Sequence, residues 1–231
     1  ITTSAHSINP STSKSLPYDT ERDFTPITTL VSGAIALVGS PKAGMDSIQK
    51  FVAEAKANPG KYNFGSTENT TRLIGELFRL KSGLKIENVA YKGAAPALQD
   101  LIAGQTQMMF ATAASVVGHI KSGLVRPLAV TTLKRTAVLP DIPTVDEAGA
   151  PGVYISTWYG LWVPKGTPKA IIGRIRDEIA KVASDPAFVD KNLVQRGLDP
   201  SFNTPEQFAQ YLKEQKTQVD QTAKKANLQP Q

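Results

Sequence analysis

The residues of this chain best suited to chemistry form two short loops, each followed by a predicted helix. Residues 66–71 (STENTT) carry hydroxyl and amide side chains, and residues 91–96 (YKGAAP) join a lysine to small residues. Because the free N–H groups and the dipole of a helix N-terminus favour negative charge, both loops are candidate sites for a carboxylate. Each also has a structural interpretation, as an ordinary helix cap or as a tight turn between strand and helix, and both interpretations stay open.

The chain offers few groups for catalysis. It has no cysteine and two histidines, His6 and His119, which excludes a thiolate nucleophile, disulfides and a multi-histidine metal site. The G-x-S-x-G motif of hydrolases and the H-E-x-x-H motif of zinc proteases are absent. We therefore predict a protein that is not an enzyme, with no catalytic residue, no metal site and no cofactor.

The charge balance favours small anionic partners. Lysine and arginine total 26 against 20 aspartate and glutamate residues, a formal net charge of +6. The basic residues are spread thinly, and the densest group, at 213–225, is interleaved with acidic residues, as on a solvated helix face. We therefore predict no nucleic-acid partner. No apolar run reaches the roughly 18 residues of a membrane span.

Strand patterns alternate with helix patterns along the chain. Such alternation predicts an α/β fold with a mainly parallel sheet. The carboxyl ends of parallel strands collect ligands in such folds, and both candidate loops follow a predicted strand. The predicted strands are 28–38, 62–65, 86–91, 107–111, 128–131 and 154–163; the predicted helices follow Ser47 and lie near 72–82, 96–103, 115–122, 145–148, 168–184, 186–196 and 205–226.

An ordered series of motifs runs through the whole chain and resembles one family. Residues 89–104 (VAYKGAAPALQDLIAG) resemble the PYKG-x-x-PAL-x-DL-x-x-G pattern of the solute receptors of tripartite tricarboxylate transporters, also called the Bug family. The other motifs that fit, in chain order, are HSINP at 6–10, LPYD at 16–19, HIKSG at 119–123, LAVT at 128–131, LPDIPTVDEAG at 139–149, WYGL at 158–161 and PKGTP at 164–168.

The resemblance implies a two-domain fold like that of periplasmic binding proteins, with a ligand cleft between the domains. We expect residues 1–29 and 152–231 to form domain 1 and residues 30–151 to form domain 2. Hinges are expected near 28–31 and 152–156. Family members begin with an earlier strand and a glycine-rich ligand loop, so we expect domain 1 of this chain to lack its N-terminal elements.

The resemblance also implies a function. We expect a periplasmic, monomeric receptor that closes on a small organic carboxylate and delivers it to membrane transporter subunits or to a sensor. Ligand contacts are expected from domain 2 at Ser66, Thr67, Asn69, Thr70, Lys92, Gly93, Ala94, Ala95 and Thr112, and from domain 1 at Ser4, His6, Trp158 and Tyr159. An alternative with a similar fold is the ligand-sensing effector domain of a transcription regulator.

Two departures from the family pattern bear on the ligand. The polar loop at 66–71 is short and holds Glu68 where the family has glycines, and a carboxylate facing the cleft would repel an anion. Phe110 is followed by Ala111 and Thr112 rather than by an acidic or amide residue, so no acceptor for an ammonium group stands there. We therefore expect a carboxylate without an amine, either aromatic or dicarboxylic.

Overall fold

The chain folds into two compact units. The structure, a computed structural model, describes residues 1–225. Unit 1 consists of Ile1–Gly33 with the chain from Thr157 onward, and unit 2 is Ala34–Ser156. The chain therefore leaves unit 1 inside one long strand and returns at the start of another, a few residues later than the boundaries expected at 29–30 and 151–152.

Strands and helices alternate through most of the chain. The strands are β1 (Thr2–Thr3), β2 (Phe24–Gly39), β3 (Asn63–Ser66), β4 (Glu87–Ala90), β5 (Met108–Thr112), β6 (Arg126–Val130), β7 (Ser156–Pro164) and β8 (Leu198–Pro200). The helices are α1 (Ala5–Thr12), α2 (Thr20–Asp23), α3 (Ile48–Ala57), α4 (Asn69–Ser82), α5 (Ala94–Ala103), α6 (Ala113–Lys121), α7 (Lys169–Ala183), α8 (Pro186–Asn192) and α9 (Pro205–Lys225). Ala226, the predicted end of the last helix, lies outside the described residues.

The sheet of unit 2 is mixed rather than mainly parallel. Strand β3 pairs in parallel with β4 and β5, whereas the second half of β2 pairs antiparallel with β5 and β6. The expectation of a mainly parallel sheet was wrong because alternation with helices predicts parallel pairing only for strands joined by a crossover. Strand β2 is not consecutive in sequence with β5 or with β6, so no single crossover helix sets the direction of these two pairs.

Unit 2 has an aromatic core beneath α4. Phe51, Phe64, Phe78 and Phe110 are fully buried, and the rings of Phe64 and Phe110 meet edge to face at 5.9 Å. Helix α4 lies close to β3 because Gly75 faces the ring of Phe64, where a Cβ atom would come within 2.0 Å of Cε2. This packing fixes the position of α4 and therefore of its N-terminus.

Unit 1 places β7 between β1 and the first half of β2, and β8 also pairs with β2. Its core includes Trp158 and Phe208, whose rings meet edge to face at 5.2 Å. Helix α7 carries isoleucines at helical spacing, yet none of its residues is buried. Ile171, for example, is 51% exposed.

The short helix expected at 145–148 is not formed. The segment Val145–Gly149 consists of turns, with Gly149 at a φ of 83°. Its backbone is hydrogen-bonded to the end of β6: the amide of Val145 donates to the carbonyl of Val130 at 2.9 Å. Proline and glycine on both sides leave too few residues for a stable helix.

Candidate binding site

Three helices of unit 2 begin at the same edge of its sheet. Strands β3, β4 and β5 run in parallel in the spatial order β5-β3-β4. Along the chain, β3 leads into α4, β4 leads into α5 and β5 leads into α6. The register pairs Ser66 with Ala90, so β3 and β4 end side by side. Three helix N-termini therefore gather at the carboxyl edge, where their N–H groups and dipoles favour an anion.

The loop that leads into α4 is held by hydrogen bonds of its own. The hydroxyl of Thr71 accepts from the amide of Thr67 at 2.9 Å and from that of Glu68 at 3.1 Å. The side chain of Glu68 in turn accepts from the amide of Thr71, which completes a capping box. The helix-cap interpretation therefore holds for this loop, which also contains the predicted site residues Asn69 and Thr70.

Ser66, at the end of β3, is buried and engaged with the neighbouring strand. Its hydroxyl donates to Oδ1 of Asn88 at 2.7 Å, and its carbonyl accepts from the amide of Tyr91 at 2.8 Å. Thr71 lies in the candidate loop 66–71 but was not among the predicted contact residues, and Asn88 lies outside both candidate loops. Thr71 had a sequence signal as the third residue of a helix after a capping position, whereas nothing in the sequence pointed to Asn88.

Glu68 brings a negative charge to this edge. The side chain is partly buried, and this burial raises the pKa of its carboxyl group above the ordinary value. Among the side chains that the structure describes, no lysine, arginine or histidine nitrogen lies within 4.0 Å of it. Arg72 lies one helical turn away, and its buried Nε atom has no hydrogen-bond partner.

The start of α5 differs from that of α4, because no described side chain caps it. Its N-cap residue is Gly93, at φ 107° and ψ 170°, and nothing lies within 4 Å of the position that a Cβ atom would occupy there. The first-turn amides of Ala94 and Ala95 have no partner within the helix, and Pro96 contributes no N–H. Ala94 is half-buried and Ala95 is exposed, so this turn lies at the surface, as an anion site requires.

Lys92 and Tyr91 complete this loop. Lys92 is exposed, and no ion pair within 4.0 Å engages it in the part of the chain that the structure describes. The Tyr91 hydroxyl donates to Oδ2 of Asp100 at 2.8 Å, and burial together with this bond raises the pKa of Tyr91 to about 12. The tyrosine stays neutral and ties the loop to the body of α5.

Thr112 lies at the third helix start of this edge. It ends β5 and is the N-cap residue of α6, but its side chain makes no capping bond. Its carbonyl accepts from the hydroxyl of Ser115 at 2.8 Å. The nine predicted contact residues of unit 2 therefore lie along one edge of one sheet, although their contact with a ligand remains a prediction.

Three of the four predicted contact residues of unit 1 lie together. The amide of Ser4 donates to the carbonyl of Trp158 at 3.0 Å, and Thr3 pairs with Tyr159 across β1 and β7. The ring of Trp158 is 1% exposed, and its Nε1 donates to Gln215 at 3.3 Å, so this side chain is part of the core. Tyr159 is 36% exposed, so a solute can reach its ring but not that of Trp158.

His6 is the second residue of α1 and lies inside an aromatic cluster of unit 1. Its ring stacks on Tyr18 at 5.1 Å and meets Trp162 at 4.9 Å. Burial lowers the pKa of His6, so the neutral imidazole is favoured near pH 7. These contacts give His6 a packing role, and its predicted role as a ligand contact is not tested by them.

Two features are absent from the described residues. Within residues 1–225, no group of three or more histidine, cysteine, aspartate or glutamate residues is placed to hold a metal ion. No helix in the same range is long and apolar enough to cross a bilayer.

Known proteins resemble this chain in sequence over most of its length. A family model described as tripartite tricarboxylate transporter family receptor matches residues 1–228. Protein BugT of Bordetella pertussis is 33% identical over 195 residues, which cover 84% of this chain and 60% of that protein. The chain spans 60–67% of the length of the first three curated relatives that it matches.

Solved structures share the fold. A structure described as a periplasmic transporter is 36% identical, with a TM-score of 0.87, and the match covers 98% of this chain and 76% of that one. A protein of R. palustris, solved with adipate, is 27% identical with a TM-score of 0.91 over 100% of this chain and 78% of that one. These likenesses confirm the predicted α/β fold of the periplasmic-binding-protein type.

Proposed function

Since the chain belongs to the tripartite tricarboxylate transporter receptor family, we propose that it captures a small organic carboxylate outside the cytoplasm. The captured solute would be handed to membrane subunits of such a transporter or reported to a sensor. The periplasm is the compartment that fits this role. We propose a monomer, because a receptor that docks on membrane subunits needs exposed faces on both of its units.

The observation that carries the proposal is the uncapped start of α5. Two backbone amides, those of Ala94 and Ala95, and the exposed Lys92 lie at the carboxyl end of β4, where no described side chain caps the helix and no described acid lies within 4.0 Å of the Lys92 ammonium group. A carboxylate has two oxygens with acceptor capacity and one negative charge, which match two N–H groups and one cation. The chemistry of the loop therefore fits the proposed ligand class.

A comparison supports the same class of solute. The R. palustris protein that shares this fold at a TM-score of 0.91 was solved with adipate, a small dicarboxylate. Neither the effector-domain alternative nor an enzymatic role gains support from the family model or from the neighbours. We therefore propose the receptor role.

The proposal is tested by thermal unfolding in a panel of organic acids. The purified protein is first freed of bound solute by partial unfolding, dialysis and refolding, and each acid is then added at millimolar concentration. We expect one structural class of carboxylates to raise the melting temperature, since a ligand that binds only the folded state stabilises it by mass action. The corresponding neutral amides should give no shift.

A pair of lysine variants locates the binding. Lys92→Gln removes the cation at the carboxyl end of β4, and Lys85→Gln removes an equally exposed lysine before its amino end. We expect the first variant to weaken carboxylate binding by about 2- to 12-fold, because a hydrogen bond at an exposed position contributes about 0.5–1.5 kcal/mol, and the second to bind like the unmodified protein. Absence of any thermal shift across the panel would contradict the receptor function.

A further inference from the structure

Unit 1 contains a cavity of about 730 Å³ of its own. The cavity lies at the start of β2 and near the end of β7, beside Phe24 and Trp162. These strand ends are remote from the two chain crossings between the units, which follow Gly33 and precede Thr157. Cavities of about 300–1,000 Å³ hold drug-sized molecules, so this one has room for a solute much larger than a short-chain acid.

Hydrogen bonds hold two walls of the cavity together. Helix α1 provides one wall and helix α9 another, and both contribute residues to the lining. The hydroxyl of Ser7 donates to Oε1 of Gln215 at 2.8 Å, and the hydroxyl of Ser11 donates to Oδ1 of Asp220. Both bonds join α1 to α9, so the cavity is formed by the fold and does not require a ligand to open it.

A third wall consists of three aromatic rings, those of Tyr18, Phe24 and Trp162. Each of them packs against His6, with ring centroids 4.9–5.1 Å apart, so the three rings are held in fixed orientations. Aromatic pairs contribute more than the area that they bury, and a flat ring in the cavity would gain from this wall. The indole N–H of Trp162 is shielded from solvent and has no hydrogen-bond partner among the described residues. A small rotation of this ring toward an acceptor on a ligand would therefore be favourable.

The charged groups of the lining favour an anion. They are Lys165, Lys213, Lys216, Asp19 and Glu21. Lys216 already pairs with Asp220 at 2.8 Å, whereas no carboxylate in the described part of the chain lies within 4.0 Å of Lys165 or Lys213. Asp19 caps α2 by accepting from two first-turn amides, which offset its charge. Two ammonium groups thus stand against the one remaining carboxylate of the lining, that of Glu21.

We infer that this cavity is a second binding site, for a bulky aromatic acid whose rings lie against the three-ring wall and whose acid group lies toward Lys165 and Lys213. The inference goes beyond the proposed function and does not depend on it. A short aliphatic acid would leave most of the cavity unfilled and would gain nothing from the aromatic wall. A cationic aromatic solute would be repelled by the two lysines.

The inference is tested with two fluorescent probes that share their rings and differ in one charged group. 8-Anilinonaphthalene-1-sulfonate is an aromatic anion, and N-phenyl-1-naphthylamine is its analogue without the sulfonate. Each is titrated into the purified protein at constant ionic strength, and the increase in probe fluorescence gives the Kd. We expect both probes to bind, and we expect 1-naphthoate, a carboxylate of the inferred class, to displace the sulfonate.

Two pairs of glutamine substitutions test the charge preference. Lys165→Gln combined with Lys213→Gln should weaken binding of the sulfonate by about 2- to 30-fold, the range expected for two exposed ion pairs, and leave the neutral probe unaffected. Lys169→Gln combined with Lys191→Gln removes two exposed lysines of unit 1 that do not line the cavity. This control should leave the affinity for both probes unchanged.

Two phenylalanine substitutions on α9 test the location. Ala209 lines the cavity and is exposed, so Ala209→Phe places a ring in the space that the probes would occupy. We expect it to weaken binding of both probes by about tenfold or more. Gln221→Phe adds the same ring at an exposed position of α9 that does not line the cavity, and it should have no effect. Melting temperatures of the variants confirm that they fold.

Each contrary result has a defined meaning. If neither probe binds the unmodified protein, or if Ala209→Phe binds both probes as Gln221→Phe does, the cavity is not a binding site. If the pair at Lys165 and Lys213 weakens the neutral probe as much as the sulfonate, the preference for an acid is wrong. The receptor function is tested separately by the panel of organic acids and by Lys92→Gln, which should leave binding of both probes unchanged.

Discussion

In the proposed site, Gly93 is the residue whose backbone conformation should affect ligand binding most directly. Its φ of 107° with ψ of 170° lies in a region that residues with a side chain rarely adopt. No atom lies within 4 Å of the position of an added Cβ atom, so alanine would meet no steric clash there. The effect of Gly93→Ala is therefore a backbone effect alone, and it amounts to about 1–3 kcal/mol.

This strain can be relieved only by moving the loop. If the loop keeps its conformation, the variant loses about 1–3 kcal/mol in the free energy of unfolding. If the loop relaxes, the amides of Ala94 and Ala95 turn away from the open surface, and the same free energy is lost from binding. At about 1.4 kcal/mol per tenfold change in Kd, the loss of affinity is then about 5- to 150-fold.

The assay combines urea unfolding with calorimetric titration of the best acid from the thermal panel. The control is Gly118→Ala, since Gly118 lies in α6 with ordinary helical geometry and an equally open surrounding. Alanine there should stabilise the protein by about 0.5–1 kcal/mol and leave the affinity unchanged. A Gly93→Ala variant that matches the unmodified protein in both stability and affinity would refute the assignment of this loop.

Three further predictions concern the elements that position the site. Gly75→Ala would bring a Cβ atom to within 2.0 Å of Phe64, so we expect a loss of about 1–3 kcal/mol in urea unfolding; a normal unfolding midpoint would show that α4 does not pack as described. Tyr91→Phe removes the 2.8 Å bond to Asp100, and we expect a loss of about 0.5–1.5 kcal/mol by the same assay, whereas an unchanged stability would mean that this bond does not hold the loop. The pKa of Glu68 is raised in the folded state, so the folded state binds the proton more tightly than the unfolded chain, and the contribution of Glu68 to stability falls as pH rises from about 4.5 through the folded pKa. Unfolding measured between pH 4 and 7 should show this decline and a flatter profile for Glu68→Gln; identical profiles would contradict the burial of the carboxylate.

Periodic apolar residues and capping residues determined much of the fold, and both are visible in the sequence. Ser47 caps α3 and Asp185 caps α8 as their positions predict, because such side chains accept from first-turn amides wherever a helix begins. The direction of β2 within its sheet was not predictable in the same way. Pairing direction depends on which distant strands meet, and local patterns carry no information about that.

The candidate site shows a similar division. The uncapped turn at Gly93 could be anticipated, because a lysine and small residues between a strand and a helix leave backbone amides accessible. The bond between Ser66 and Asn88 could not, since it depends on the register of two strands 22 residues apart. Nor did the sequence show that Trp158 is buried against Phe208, because an aromatic residue in a strand can face either side of a sheet.

The most direct test of the account is native mass spectrometry of the natural protein, purified from its own cells without added ligand. We predict a complex that releases a single small organic acid on denaturation, and rebinding of that acid should be weakened by Lys92→Gln but not by Lys85→Gln. Recovery of a neutral or cationic solute, or an acid whose binding both variants retain in full, would contradict the assignment of this chain as a carboxylate receptor that binds at the start of α5.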